Sequence, residues 1–186
     1  MSRTERRTER HRAAHRAQAL MGWIVSLIIV FALLFLIFEL WLVPVRVTGQ
    51  SMEPALSDRE VVLIDHAAKY WKTPGRGDVV YFRDPSTGSM LLKRIVALPG
   101  ETVDIAQGRV YIDGRPLEES AYAVNFEQGG DMAATVVPEG KVFVLSDNRA
   151  ESYDSRSPQI GCVTYEKIEG VLRFRILPTS RIAFYY

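Results

Sequence analysis

The sequence predicts a mainly β protein in which one N-terminal transmembrane helix precedes an antiparallel β-sheet domain with a small inserted region. Three observations carry that expectation. An uncharged apolar run fills residues 19–38 behind an arginine-rich start. After Pro44 the pattern changes to short apolar stretches broken by Gly, Pro and Asp. Hardly any helical periodicity follows, which fits strands better than helices. The expected organisation is a basic tail over 1–18, an anchor over 19–43 and a β-rich domain over 44–186, with residues 115–138 as an inserted loop or small subdomain.

The anchor follows from length and flanking charge. Six arginines (Arg3, Arg6, Arg7, Arg10, Arg12 and Arg16) stand against Glu5 and Glu9 ahead of the run. Twenty helical residues rise about 30 Å, the thickness of a bilayer's hydrocarbon core. Trp23 and Trp41 stand near its ends, where amphipathic rings prefer to sit. A cleavable signal peptide has a shorter apolar core and an Ala-x-Ala-like site, and neither is present. The arginines mark the cytoplasmic side, so the chain from about residue 45 onward is expected outside it, with Glu39 at the outer interface. That describes a single-pass protein of the cytoplasmic membrane, N-terminus inside.

Composition narrows the rest. With 47% hydrophobic residues among 186, the chain can bury one respectable core. A formal net charge of +1 gives no electrostatic case for nucleic acid. The single cysteine, Cys162, excludes an intramolecular disulfide and a multi-cysteine zinc site. Its setting, Ile160-Gly161-Cys162-Val163, suits an inert buried thiol. Strands are expected at 60–64, 78–82, 90–97, 102–105, 109–112, 141–145 and 170–177, with Asp113-Gly114 closing a hairpin. The aromatics Tyr70, Trp71, Phe184, Tyr185 and Tyr186 suit contact with the membrane surface or, by the favoured reading, core or surface packing.

Three stretches could carry chemistry. In Val47-Thr48-Gly49-Gln50-Ser51-Met52-Glu53-Pro54-Ala55-Leu56, Gly49 and Pro54 stiffen a turn that could aim the Ser51 hydroxyl, although such a serine also suits an ordinary turn. A serine nucleophile needs a base. His11 and His15 are expected across the membrane from Ser51, and His66 has the setting of a surface histidine, which leaves a lysine base. Half-neutrality near pH 8 costs a lysine roughly 3.4 kcal/mol against its charged form, and only burial or a nearby cation supplies that. Met90-Leu91-Leu92-Lys93-Arg94-Ile95-Val96 is the strand where this could happen. Alternation places Lys93 with Leu91 and Ile95, and Arg94 with Leu92 and Val96, without deciding which basic residue is buried. The third stretch, 146–156, is dense in Asp, Asn, Ser and Arg: a solvated loop, or a hydrogen-bonded brace for a site.

Four segments in this order resemble bacterial type I signal peptidases, membrane-anchored serine proteases with a Ser/Lys dyad, and in particular their compact Gram-positive-type members. They are Gly49-Gln50-Ser51-Met52-Glu53-Pro54, Gly77-Asp78-Val79-Val80-Tyr81-Phe82, Lys93-Arg94-Ile95-Val96-Ala97-Leu98-Pro99-Gly100-Glu101, and Asp147-Asn148-Arg149 through Ser152, Asp154, Ser155 and Arg156. The resemblance implies a catalytic domain of signal-peptidase type with Ser51 as nucleophile and Lys93, not Arg94, as general base. It implies that Ser152 orients the Lys93 amine, that Asp154 and Arg156 form a supporting salt bridge, and that Asp147, Asn148 and Arg149 brace the same loop. The oxyanion hole would use the Ser51 backbone N–H. Some relatives add a hydroxyl two residues before the nucleophile, where this chain has Gly49. Ala55, Ala97 and Ser146 also depart from the family pattern, and none removes a catalytic group.

The implied substrates are signal peptides of exported preproteins, cut after small residues in an Ala-x-Ala pattern, with Val47, Leu56, Val62 and Leu92 lining the pockets. The implied partners are the lipid bilayer and, as a candidate, the protein-export translocon; no nucleic acid, metal or cofactor is implied. A catalytically silent scaffold for the export machinery is a second reading, opposed by Ser51 and Lys93 at their motif positions. A self-cleaving protease of the soluble-repressor kind is a third, opposed by the anchor and the lack of a DNA-binding segment.

Overall fold

Short β-branched stretches punctuated by residues that tolerate positive φ give strands joined by tight turns. The computed structural model describes residues 18, 20–36, 41–151, 153–178, 180 and 182–184. The chain divides into two compact units, Met1–Leu40 and Trp41–Tyr186.

In the first unit, helix α1 spans 20–36 and leaves its side chains exposed. Among the described residues no helix is long and apolar enough to cross a membrane. The expected anchor includes Ala19 and residues 37–40, Glu39 among them, which lie outside the described residues, as do residues 1–17 with His11 and His15. The far boundary of the expected anchor is corrected: Leu42 and Val43 belong to a strand, hydrogen-bonded opposite Asp65 and Ile64.

The second unit holds β1 (Leu42–Arg46), β2 (Val61–Asp65), the one-turn helix α2 (Ala68–Trp71), β3 (Val79–Arg83), β4 (Met90–Ala97), β5 (Thr102–Ala106), β6 (Arg109–Ile112), β7 (Arg115–Pro116), β8 (Met132–Val136), β9 (Lys141–Leu145), β10 (Val163–Thr164), β11 (Ile168–Leu177) and β12 (Ala183–Phe184). Among the described residues these strands all pair antiparallel. One sheet runs β1-β2-β11-β3-β4-β9-β10 with β12 beside β11, and a smaller one runs β7-β6-β5-β8. The mainly β antiparallel expectation therefore holds. The expected Asp113-Gly114 hairpin joins β6 to β7, with φ of 50° and 74° at its two turn residues.

Residues 115–138 are less of an insertion than expected. They contribute β7 and β8, the two edges of the small sheet. Gly108 shows how closely the connection packs: a Cβ there would fall 1.9 Å from the Phe126 carbonyl oxygen.

Three apolar clusters fill the unit. Val80, Phe82, Ile95, Val142, Val144 and Ile168 form one on the large sheet. Val96, Ala97, Val103, Val110, Phe143 and Leu145 join the small sheet to β4 and β9, with the half-buried Cys162 at the margin. Burial pushes the Cys162 thiol up, which disfavours the thiolate. Val47, Met52, Leu56, Val62, Ile64 and Leu172 form the third, beneath Ser51. Tyr70 and Trp71 are each 78% exposed, and Phe184, also exposed, stacks edge-on against Phe174; Tyr185 and Tyr186 lie outside the described residues.

Strand β11 crosses β2 with no room to spare at Gly170. A Cβ there would lie 2.6 Å from Ile64 Cγ2 and 2.8 Å from the Asp65 carbonyl oxygen. Gly170→Ala is expected to destabilise the protein by about 1–3 kcal/mol through overpacking. Denaturant unfolding measures this, and an unchanged midpoint would contradict the close approach.

Candidate active site

Ser51 is presented by a turn held from several sides. Met52 and Leu56 are fully buried, and each contributes roughly 1.5–3 kcal/mol by leaving water. The Leu56 N–H donates to the Met52 carbonyl at 2.7 Å, and the Gly49 N–H to Asp58 Oδ1 at 2.9 Å. Gly49 takes a φ of 86°, which a side chain would strain. From β11, Arg175 Nη1 donates to the Ala55 carbonyl at 2.8 Å and lies 3.3 Å from Glu60 Oε2. From the loop after β9, the Asn148 N–H donates to the Ser51 carbonyl at 3.0 Å, and Asn148 Nδ2 to the Gln50 carbonyl at 3.3 Å.

Strand β4 buries both of its basic residues, Lys93 at 3% exposure and Arg94 at 8%. They diverge in what they meet. Arg94 forms a two-pronged pair with Asp147, Nε to Oδ1 at 2.8 Å and Nη2 to Oδ2 at 2.6 Å, donates to the Gly77 carbonyl and lies over the Tyr122 ring. Lys93 shares a cavity of about 320 Å³ with Ser51, Val45, Arg46, Val47, Thr48, Met52, Tyr81, Met90, Leu91 and Leu92. Burial lowers the Lys93 amine to about 8; Asp154, Glu151 and Asp147 pull it upward and Arg156 downward. The sign is that of a group penalised for its charge. Below about pH 8 the folded chain carries a buried ammonium at a cost, and that cost disappears as pH rises toward the unfolded lysine value.

The loop 146–156 is braced through buried side chains, Asp147, Arg149 and Asp154 among them, while Ala150, Glu151 and Tyr153 are exposed. Asp154 is fully buried; its Oδ2 accepts from the Ser146 N–H at 3.0 Å and from Arg156 Nη2 at 2.6 Å, while Oδ1 accepts from Arg156 Nε at 2.9 Å. Arg156 also donates to the carbonyls of Gly129, Arg149 and Glu151. Arg149, buried, donates to the Ser146 carbonyl at 2.9 Å and pairs with Glu119. Glu119, Tyr122 and Phe126 thus cover the network from the 115–138 region, a role that no sequence signal indicated.

A family model described as signal peptidase, peptidase S26, matches residues 20–177. The chain belongs to the signal peptidase family. Among relatives, a signal peptidase I of Bacillus amyloliquefaciens is 34% identical over 89% of this chain and 92% of its own length, and one of Bacillus licheniformis is 32% identical over the same shares. A crystal structure of a signal peptidase I from Enterococcus faecalis V583 is 35% identical, covers 54% of this chain and 97% of that one, and superposes with a TM-score of 0.47. As a member of the S26 family, the chain is a serine endopeptidase.

Within this signal peptidase fold the expected residues fall into three groups. Ser51, Lys93, Val47 and Leu92 line one cavity. Asp147, Asn148, Arg149, Asp154 and Arg156 are joined in the network beside it. Leu56 and Val62 differ from the expectation: they lie wholly in the cluster beneath the serine turn and do not line the cavity. An apolar residue in this stretch serves the core and a cavity equally well by sequence; in place, Val45, Met52, Tyr81 and Met90 line the cavity beside Val47 and Leu92. Ser152 lies outside the described residues. His66 is half-buried just after β2, its backbone N–H donating to the Trp41 carbonyl at 2.9 Å, and is not among the residues that line the cavity. Among the described residues no group of three His, Cys, Asp or Glu is placed to hold a metal ion.

The Arg94–Asp147 pair allows a test of the brace. Asp147→Asn leaves a guanidinium buried without its counter-charge and is expected to cost about 3–5 kcal/mol. Replacing both partners by leucine should cost less than the sum of the single changes, as read by unfolding of all variants in a double-mutant cycle. Additive costs would show that the two side chains do not interact.

Proposed function

We propose that this serine endopeptidase removes signal peptides from exported preproteins, cutting after small residues with Ser51 as nucleophile and Lys93 as general base. The observation that carries the proposal is the shared cavity of Ser51 and a buried lysine lowered to about 8. A neutral Lys93 takes the Ser51 hydroxyl proton as Oγ attacks the scissile carbonyl. The resulting ammonium gives that proton to the departing amine, and the acyl group stays on Ser51 as an ester. Lys93, neutral again, then takes a proton from water as its oxygen attacks the ester, and returns that proton to Ser51 Oγ as the ester C–O bond breaks, freeing the acid and restoring the Ser51 hydroxyl. The Ser51 N–H is the oxyanion donor in this proposal.

Two features favour an extended, small-residue substrate. Strand β1 is an edge of the large sheet, and the β4–β9 register covers Arg94–Ala97 but not Met90–Lys93. A peptide lying between these free edges gains main-chain hydrogen bonds on both sides. The apolar wall of Val45, Val47, Met52 and Leu92 favours small side chains by excluding larger ones. The supporting roles of Ser152, Asp154, Arg156, Asp147, Asn148 and Arg149 belong to the same proposal, which the family resemblance supplies.

We further propose that α1 is the core of a membrane anchor. Its apolar side chains stand exposed, Trp23, Phe31 and Phe35 among them, and the uncharged run continues through 38. With the arginine-rich tail cytoplasmic, the β-rich unit would face the exported substrate on the outer side. The bilayer and the export translocon are the partners this topology implies.

Purified full-length protein in detergent, given a preprotein with an Ala-x-Ala site, is expected to cut after the second alanine. Ser51→Ala and Lys93→Met should each lower kcat/KM by about 10³-fold or more while folding normally. Wild-type kcat/KM should rise with pH to a plateau, with its midpoint near 8. A folded wild type that cuts nothing, or a Lys93→Met variant that cuts as well, would overturn the proposal.

A further inference from the structure

A tie between the Lys93 hairpin and the 146–156 loop has no counterpart in the dyad or its salt bridges. Asp84 lies in the turn between β3 and β4, the hairpin that carries Lys93, and is almost completely buried. Within the turn its Oδ1 accepts from the Ser86 N–H at 2.8 Å and Ser86 Oγ at 2.9 Å, and its Oδ2 from Thr87 Oγ1 at 2.5 Å. A fourth donor comes from far along the chain: the Tyr153 hydroxyl reaches Asp84 Oδ2 at 2.6 Å and lies 3.0 Å from Ser86 Oγ. These hydrogen bonds outweigh burial and hold the Asp84 carboxyl well below the usual carboxylate range, so it remains a charged acceptor at any working pH.

The position of Tyr153 gives this bond its meaning. It stands between Glu151 and Asp154, two of the groups whose charge Lys93 feels. Asp147 on Arg94 and Tyr153 on Asp84 thus both fasten the loop to the hairpin. Lys93 falls between the two fastenings along the hairpin strand.

We propose that the Tyr153–Asp84 hydrogen bond is a positioning contact that keeps the loop closed over the Lys93 side of the hairpin and so keeps water from the lysine. This rests on Lys93 being the general base. The charged groups around Lys93 are Asp147, Glu151, Asp154 and Arg156 from the loop and Arg46 from β1 across the cavity, with Arg83 further along β3. Releasing the loop has two opposed effects. Moving Glu151 and Asp154 away disfavours the ammonium, whereas admitting water favours it. Burial is the larger cause, so the ammonium should win.

The experiment is the pH dependence of kcat/KM on an Ala-x-Ala preprotein for full-length wild type, Tyr153→Phe and Thr87→Val. Tyr153→Phe keeps the ring and removes only the long-range donor; Thr87→Val removes a donor internal to the turn. In Tyr153→Phe the midpoint should move up by about half a unit or more, so activity at pH 7 falls about threefold or more and recovers at high pH. In Thr87→Val the midpoint should stay where it is. A Tyr153→Phe midpoint that is unmoved or lower, even with a reduced melting temperature, would make the bond merely structural and overturn the proposal. Asp84→Asn, expected to move the midpoint the same way, carries the test if Tyr153→Phe fails to fold. A wild type that cuts nothing at any pH would instead remove the base assignment beneath the proposal, a failure distinct from an unmoved midpoint in an active enzyme.

Discussion

A lysine ammonium taken out of water must find a counter-ion or lose its proton, and the arrangement around Lys93 withholds the counter-ion. Carboxylates are close: Asp147 and Asp154 both lie in the loop beside it. Each is already committed to an arginine, Asp147 to Arg94 and Asp154 to Arg156, with a third buried pair between Glu119 and Arg149. Among the described residues Lys93 forms no ion pair. Guanidinium groups suit the task because their planar forks take both carboxylate oxygens and do not deprotonate. The three pairs thus do more than fill space: they occupy the nearby carboxylates and leave the compact amine to bear the cost of burial.

The same loop also holds the turn that carries Ser51. Asn148 follows Asp147 directly, and its N–H and side-chain amide both hold the Ser51 turn through main-chain carbonyls. A single segment therefore positions the serine turn through Asn148 and the β4 strand through Asp147. Catalytic groups on different strands keep a common geometry only when something rigid spans them. Here the rigidity comes from buried charge and from Met52 and Leu56, which pin the turn from below.

Much of this was legible in the sequence because each signal had one physical cause. Strands at 90–97 and 141–145 followed from apolar β-branched runs, and both appear at those bounds. The 113–114 hairpin followed from Asp-Gly. Less was legible where one residue type serves two ends. Alternation separated Lys93 from Arg94 but not the one bracing a carboxylate from the one facing a cavity, since both are buried. Leu56 and Val62 were indistinguishable from wall residues because core and pocket are equally apolar. Residues 115–138 looked like an inserted loop or small subdomain because β7 and β8 are short, exposed edges with little apolar pattern. Glu119 was invisible for a related reason: its importance depends on Arg149, thirty positions away.

The most direct measurement is the protonation of Lys93 itself, followed by NMR of its side chain in selectively labelled full-length Ser51→Ala protein across pH 6 to 12. Desolvation without a counter-ion predicts a midpoint near 8. A midpoint at the ordinary lysine value of about 10.4 would mean that the buried amine has found compensation, and would contradict the account of how this site is built.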